Sequence, residues 1–169
     1  MKKVLCLDVD DTVLYWTPHY IKWLFEKRFE YINTHKPDTW FNQTYVKEFN
    51  SSPEFSFRKR IKDICDILDT NIPNSDIDVI FISTCGKDHY LNQFRALQVA
   101  NFKFPWILHT VDQSEDKIQL LLNIKNQYDT LLFVDDKVYT LQLAIKNGIE
   151  CSLPNDSYGL YKIDKFISE

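Results

Sequence analysis

The stretch Val4-Leu5-Cys6-Leu7-Asp8-Val9-Asp10-Asp11-Thr12 decides the fold. Four consecutive apolar residues, without period-two alternation, predict a short strand buried on both faces, as in a parallel sheet. Three further runs have the same character: Val79-Ile80-Phe81-Ile82, Trp106-Ile107-Leu108 and Leu131-Leu132-Phe133-Val134, with a weaker fifth near 149–153. Helical patterns lie between them. One covers 88–99, with Leu91, Phe94, Leu97 and Gln98 at three and four spacing. A second opens at Ser114, read as an N-cap, and continues through Ile118, Leu121, Leu122 and Ile124. A third covers 138–147 and stops at Asn147-Gly148. Strand and helix alternate from residue 78 onward, which predicts an α/β fold with a parallel sheet.

The segment 15–57 breaks this rhythm and holds 13 of the 25 aromatic residues. Thr17-Pro18 predicts the N-cap and first residue of a helix running to about Asn33. His35-Lys36-Pro37-Asp38-Thr39-Trp40 and Asn50-Ser51-Ser52-Pro53 read as turns. The pattern over 57–68, with Ile61, Ile64, Cys65 and Leu68 on one stripe, predicts a helix belonging to the main domain. The division is therefore a catalytic core of 1–14 and 58–169 and a small aromatic-rich helical cap of 15–57.

Composition bounds the function. Of 169 residues only Gly86, Gly148 and Gly159 are glycine, which excludes Gly-dense dinucleotide and P-loop motifs. Gly159 reads as part of a C-terminal loop. No apolar run approaches a membrane span. Four scattered cysteines, with no C-x-x-C pair, predict a reduced, cytoplasmic protein without a zinc site or disulfide framework. The net charge of −4 gives no strong nucleic-acid signal. Asp outnumbers Glu by 17 to 7, and without Asp8, Asp10, Asp135 and Asp136 the remaining formal charge is zero.

Those four acids form the candidate site. Ligands of open α/β sheets bind beyond the carboxyl ends of the strands, and both acidic pairs directly follow an apolar strand. Two carboxylates at one strand end can divide the work between nucleophile or metal ligand and proton shuttle. Hard oxygen ligands with no nearby His or Cys suit Mg²⁺. Ser83-Thr84-Cys85-Gly86 ends another strand and offers a hydroxyl and N–H groups for a phosphate oxygen. Lys117 opens the helix after the third strand, from where its ammonium could reach the same cluster. A cysteine phosphatase is excluded because the sixth residue after Cys85 is Leu91, not Arg. His19, His35, His89 and His109 lack the spacing of a metallophosphatase.

Val-Leu-Cys-Leu-Asp8-Val-Asp10-Asp-Thr12-Val-Leu resembles the first motif of the haloacid dehalogenase-like hydrolases, and Leu-Leu-Phe-Val-Asp135-Asp136 resembles their fourth. Phe-Ile-Ser-Thr84 resembles the second and Lys117 the third. The resemblance covers essentially the whole chain. It implies a Rossmann-like three-layer α/β/α core and Mg²⁺-dependent phosphoryl transfer. Asp8 would then attack phosphorus, and Asp10 would protonate the leaving oxygen and activate water. Thr84 or Ser83, with Lys117, would bind the phosphoryl group. Mg²⁺ would bind Asp8, the backbone carbonyl of Asp10, and Asp136 or Asp135. Many members of that family have Gly where this chain has Asp11.

The layout is most similar to small 5′(3′)-deoxyribonucleotidases. This implies a small phosphomonoester substrate, such as a (deoxy)nucleoside monophosphate, with Tyr15, Trp16, Tyr20 and Trp23 as candidate stacking rings. Two alternatives stand beside it. A polynucleotide end phosphatase would use the basic run Arg58-Lys59-Arg60 and Lys62, which otherwise reads as a solvated helix face. A non-catalytic binding relative would be expected to have lost an acid, and none is missing.

Overall fold

The computed structural model describes all residues, 1–169. Five parallel strands form one sheet: β1 (Lys3–Leu7), β2 (Ile77–Ser83), β3 (Ile107–Thr110), β4 (Thr130–Val134) and β5 (Glu150–Ser152). Their order is β3-β2-β1-β4-β5. The chain thus winds outward in one direction from β1 through β2 to β3, then returns to β4 on the other side. This reversal beside β1 is the switch point at which the carboxyl ends of an open sheet leave a crevice.

Nine α-helices surround the sheet. The first four lie between β1 and β2: α1 (Thr17–Lys27), α2 (Phe29–Thr34), α3 (Gln43–Asn50) and α4 (Pro53–Ser56), followed by α5 (Lys62–Asn71). The others are α6 (Tyr90–Ala100), α7 (Ser114–Lys125), α8 (Val138–Lys146) and α9 (Ser157–Ser168). Alternate strand residues face opposite layers. Leu5, Leu7, Phe81, Leu132 and Val134 pack with Ile64 and Leu68 of α5, Leu97 of α6 and Ile163 of α9. Val4, Cys6, Ile80, Ile82 and Phe133 pack with Ile118 and Leu121 of α7 and Leu141 and Ala144 of α8. The result is the expected three-layer α/β/α architecture. Each such fully buried aliphatic or aromatic side chain contributes roughly 1.5–3 kcal/mol.

Several local expectations need correction. The helix predicted over 57–68 begins only at Lys62, because the preceding residues run extended against 13–15. Tyr15 N–H donates to the Lys59 carbonyl and Ile61 N–H to the Val13 carbonyl, and Leu14 bridges Arg60. The two chain crossings into and out of α1–α4 therefore pair with each other. The single helix predicted from Thr17 breaks at Arg28, whose backbone leaves the helical region. Its guanidinium lies against the Trp23 and Tyr45 rings and donates to Glu48 at 2.5 Å. Trp16, not Thr17, is the N-cap of α1, and Pro18 lies inside the first turn. Gln113, not Ser114, occupies the N-cap position of α7 without a side-chain capping bond, while the Ser114 hydroxyl lies 3.2 Å from that of Thr140. Gly159 lies inside α9, one turn after the Asp156 cap, instead of in a loop.

The inserted helices share one hydrophobic cluster with the sheet. Tyr20, Trp23, Leu24, Ile32, Phe49 and Phe55 are buried members of the cluster that includes Leu5 and Leu7. Trp16, Tyr20 and Trp23 stack in series, with centroids 4.8 and 6.2 Å apart, and Phe49 meets all three. No helix is long and apolar enough to cross a membrane, and all four cysteines are free.

Candidate active site

Strand alternation explains why the acids meet. Asp8 continues the β1 face that carries Val4 and Cys6, and Asp135 continues the β4 face that carries Phe133. Both therefore point toward α7, where Lys117 occupies the first turn. Lys117 Nζ donates to Asp8 Oδ1 at 2.6 Å and to Asp135 Oδ2 at 2.9 Å. All three residues are buried. Asp8, Asp135 and Asp136 bring carboxylate oxygens within 4.8 Å of one another. The Thr12 hydroxyl ties the two strand ends together: it donates to Asp8 Oδ2 at 3.2 Å and accepts the Asp136 N–H at 3.2 Å.

Three carboxylates around one ammonium leave the cluster net anionic. Burial pushes the Asp8 carboxyl up to about 8, outweighing Lys117, and Asp135 and Asp10 add to the rise. Burial and then Asp135 push Asp136 up to about 6. Burial works against the Lys117 charge, but Asp8 and Asp135 prevail and hold its ammonium above the ordinary range. An all-oxygen donor set with excess negative charge fits a hard divalent cation. The individual acids differ in availability. Asp135 has both oxygens engaged, by Lys117 and by the Lys137 N–H at 2.8 Å, whereas Asp136 is partly exposed.

The Asp10 side chain lies outside this cluster. Its Oδ1 accepts from Arg58 Nη1 and from Gln93 Nε2, the latter at 3.0 Å. Asp11 adopts a left-handed backbone with φ of 59°. That region is one that Gly enters without the steric cost a side chain brings. Here the Asp11 carboxylate accepts from the Trp16 N–H (2.7 Å), the Thr17 N–H (3.0 Å) and the Thr17 hydroxyl (2.5 Å), fastening the start of α1 to the β1 loop.

The two hydroxyls at the end of β2 diverge. Ser83 is buried and its Oγ accepts from Gln93 Nε2 at 2.9 Å. Thr84 lines a cavity of about 380 Å³ between α3 and the loop after β2, together with Gln43, Lys47, Asn50 and Gly86. Of the candidate stacking rings, Tyr20 and Trp23 are buried within the helical insert, and the Trp16 indole N–H donates to Asn50 Oδ1 at 3.0 Å. Tyr15 and Phe41 are the exposed rings nearest these in sequence and packing.

The basic run is not a solvated helix face. Arg58 is 3% exposed, and Arg60 donates to Asp69 at 2.6 Å and lies over the Phe102 ring. Only Lys59 and Lys62 are exposed. Gln93 and Thr12 were not assigned roles from the sequence, and Arg58 was read only as part of the basic run. Gln93 carried a readable signal, because it occupies a buried stripe with Ala96, Leu97 and Ala100, where an apolar residue is expected. The stripe read through Leu91 is wrong, since Leu91 is exposed.

No protein-family model and no curated protein sequence matches the chain. Solved structures do match. A hydrolase from Streptococcus pneumoniae superposes with a TM-score of 0.56 at 14% identity, over 95% of this chain and 96% of that one. The putative HAD-hydrolase YfnB of Bacillus subtilis, bound to magnesium, gives 0.57 at 15% identity over 99% of both chains. The HAD domain of the Legionella pneumophila effector Lem4, an inactive mutant, gives 0.56 at 14% identity over 99% and 93%. The chain therefore has the three-layer fold of the haloacid dehalogenase-like (HAD) hydrolases.

Proposed function

We propose that the chain is a Mg²⁺-dependent phosphatase of small phosphomonoesters. The observation that carries this reading is the convergence of Asp8, Asp135 and Asp136 within 4.8 Å, with Lys117 bonded to the first two. A Mg²⁺ ion held by Asp8, Asp136 and the Asp10 carbonyl would offset charge on the phosphoryl group and on Asp8. Asp135 then acts by orienting Lys117.

The chemistry follows from the residues. An Asp8 oxygen attacks phosphorus and forms an aspartyl-phosphate as the ester P–O bond breaks. The electron pair stays on the leaving oxygen, which takes a proton from Asp10. Water then attacks phosphorus and gives a proton to Asp10, and the bond to Asp8 breaks to release phosphate. Lys117 neutralises charge near the nucleophile. The unpartnered Thr84 hydroxyl favours Thr84 over Ser83 as the phosphoryl contact.

For the substrate, a (deoxy)nucleoside monophosphate, whose leaving group is the nucleoside, agrees with the cap reading of 15–57 and with the cavity beside Thr84. Tyr15, Phe41 and the half-buried Trp16 are then the stacking candidates, since Tyr20 and Trp23 belong to the insert's own core. The test is phosphate release from a panel of nucleotides, sugar phosphates and 3′-phosphorylated oligonucleotides, with and without Mg²⁺. Release from mononucleotides that needs Mg²⁺ and disappears in Asp8→Asn is expected. Absence of release across the panel, or activity retained in Asp8→Asn, overturns the reading.

A further inference from the structure

The structure points to a positioning pair for the proton-transferring acid. We propose that Arg58 and Gln93 hold Asp10 by one oxygen so that the other is free to meet the leaving group. This rests on the phosphatase reading above.

Both donors reach the same atom. Arg58 Nη1 and Gln93 Nε2 bond Asp10 Oδ1, and Oδ2 has no partner in the protein. The Gln93 amide cannot flip without loss, because its Oε1 accepts from Arg58 Nη2 at 2.6 Å and its Nε2 also donates to Ser83 Oγ at 2.9 Å. The guanidinium is fixed in turn. Its Nε donates to the Phe55 carbonyl at 2.8 Å, and its Cζ lies 3.9 Å from the centroid of the Phe55 ring. A buried guanidinium needs acceptors for its donors, and these give each of its three nitrogens a partner from three elements: the β1 loop, α4 and α6. Asp10 therefore has its orientation set by α6 on the core and by Phe55 at the end of the inserted helices. A carboxylic acid that gives up a proton during bond cleavage needs this arrangement: one oxygen anchored, the other directed to the substrate.

The role differs from general support of the fold in one measurable way. A leaving oxygen that is a weak base departs without a proton, whereas an alkoxide requires one. The experiment compares p-nitrophenyl phosphate with glycerol phosphate in wild type, Arg58→Lys and Gln93→Leu. Lysine keeps the charge but lacks the planar fork that serves Asp10, Gln93 and Phe55 together. Both variants are expected to lose kcat/KM, which reports the step that breaks the ester bond and not the later attack of water, by about 10- to 100-fold on glycerol phosphate and by less than about threefold on p-nitrophenyl phosphate. Thermal melts establish which variants fold, and Gln93→Leu, close in volume, carries the comparison if Arg58→Lys does not. An equal loss of kcat/KM on both substrates, or none, overturns the positioning role. Failure of wild type to release phosphate from these two substrates and from every member of the panel above overturns the phosphatase reading itself, so the two failures are distinguishable.

Discussion

Lys117 Nζ lies 2.6 Å from Asp8 Oδ1, with both side chains out of solvent. The same ammonium bonds Asp135, so one cation holds together the ends of β1 and β4. Removing it leaves two buried carboxylates without their counter-charge. Lys117→Met is expected to destabilise the protein by about 3–5 kcal/mol, measured by urea unfolding at neutral pH. A loss below 1 kcal/mol would mean that water or rearrangement satisfies the acids.

Stability should fall as pH rises through the range where Asp8 titrates. Its carboxyl is raised in the folded protein from an ordinary value near 3.8 to about 8. Between those values the folded state holds more protons than the unfolded chain, so stability declines with pH. The contribution is complete below pH 3.8 and lost by about pH 8, and Asp136 adds the same trend up to about 6. Denaturant midpoints of metal-free protein from pH 5 to 8 would report this. Asp8→Asn should flatten the profile, and an unchanged slope would refute the assignment.

A divalent cation should reverse that trend. Its ligands must be deprotonated, so binding strengthens with pH and releases protons. Mg²⁺ at 100 times its dissociation constant adds about 2.7 kcal/mol to stability. The rise in melting temperature on adding Mg²⁺ is expected to be larger at pH 8 than at pH 5, and much reduced in Asp136→Asn. An undiminished rise in that variant would place the cation elsewhere.

Asp11 combines a left-handed backbone with a carboxylate that fastens α1. Asp11→Gly loses the cap, which is worth about 1 kcal/mol, but relieves the backbone. Asp11→Ala loses the cap and keeps the backbone cost. It should be less stable than Asp11→Gly by about 1 kcal/mol. Thermal melts of the two variants side by side decide this, and the reverse order would contradict it.

Gly159 has no room for a side chain. A Cβ there would lie 2.0 Å from the Leu153 carbonyl oxygen. The Gly159 N–H is held by Asp156 at 2.6 Å and its carbonyl by the Ser152 hydroxyl at 3.0 Å, so the backbone cannot easily retreat. Gly159→Ala is expected to cost about 1–3 kcal/mol through overpacking. Equal urea midpoints for the variant and wild type would show that α9 can shift.

By itself the sequence determined the strands, their parallel class and the acids at their ends. Runs such as 4–7 and 131–134 are apolar without alternation, and only a strand covered on both faces accommodates that pattern. Asp8, Asp135 and Lys117 were legible for the same reason, since each sits at a fixed distance from such a run. Tertiary structure alone decided what Arg58 and Gln93 do. Locally, Arg58 belongs to a basic run that reads as solvated, and nothing within that run reveals a partner. Its burial follows from the extended pairing of 59–61 with 13–15, which folds the run back onto Asp10 and α6. Non-local contacts of this kind, 48 and 35 residues apart in the chain, leave no period in the sequence. The fate of the aromatic rings was settled in the same way. Composition concentrates them in 15–57, but only packing separates Tyr20 and Trp23, which build the insert's core, from Tyr15 and Phe41, which stay at its surface.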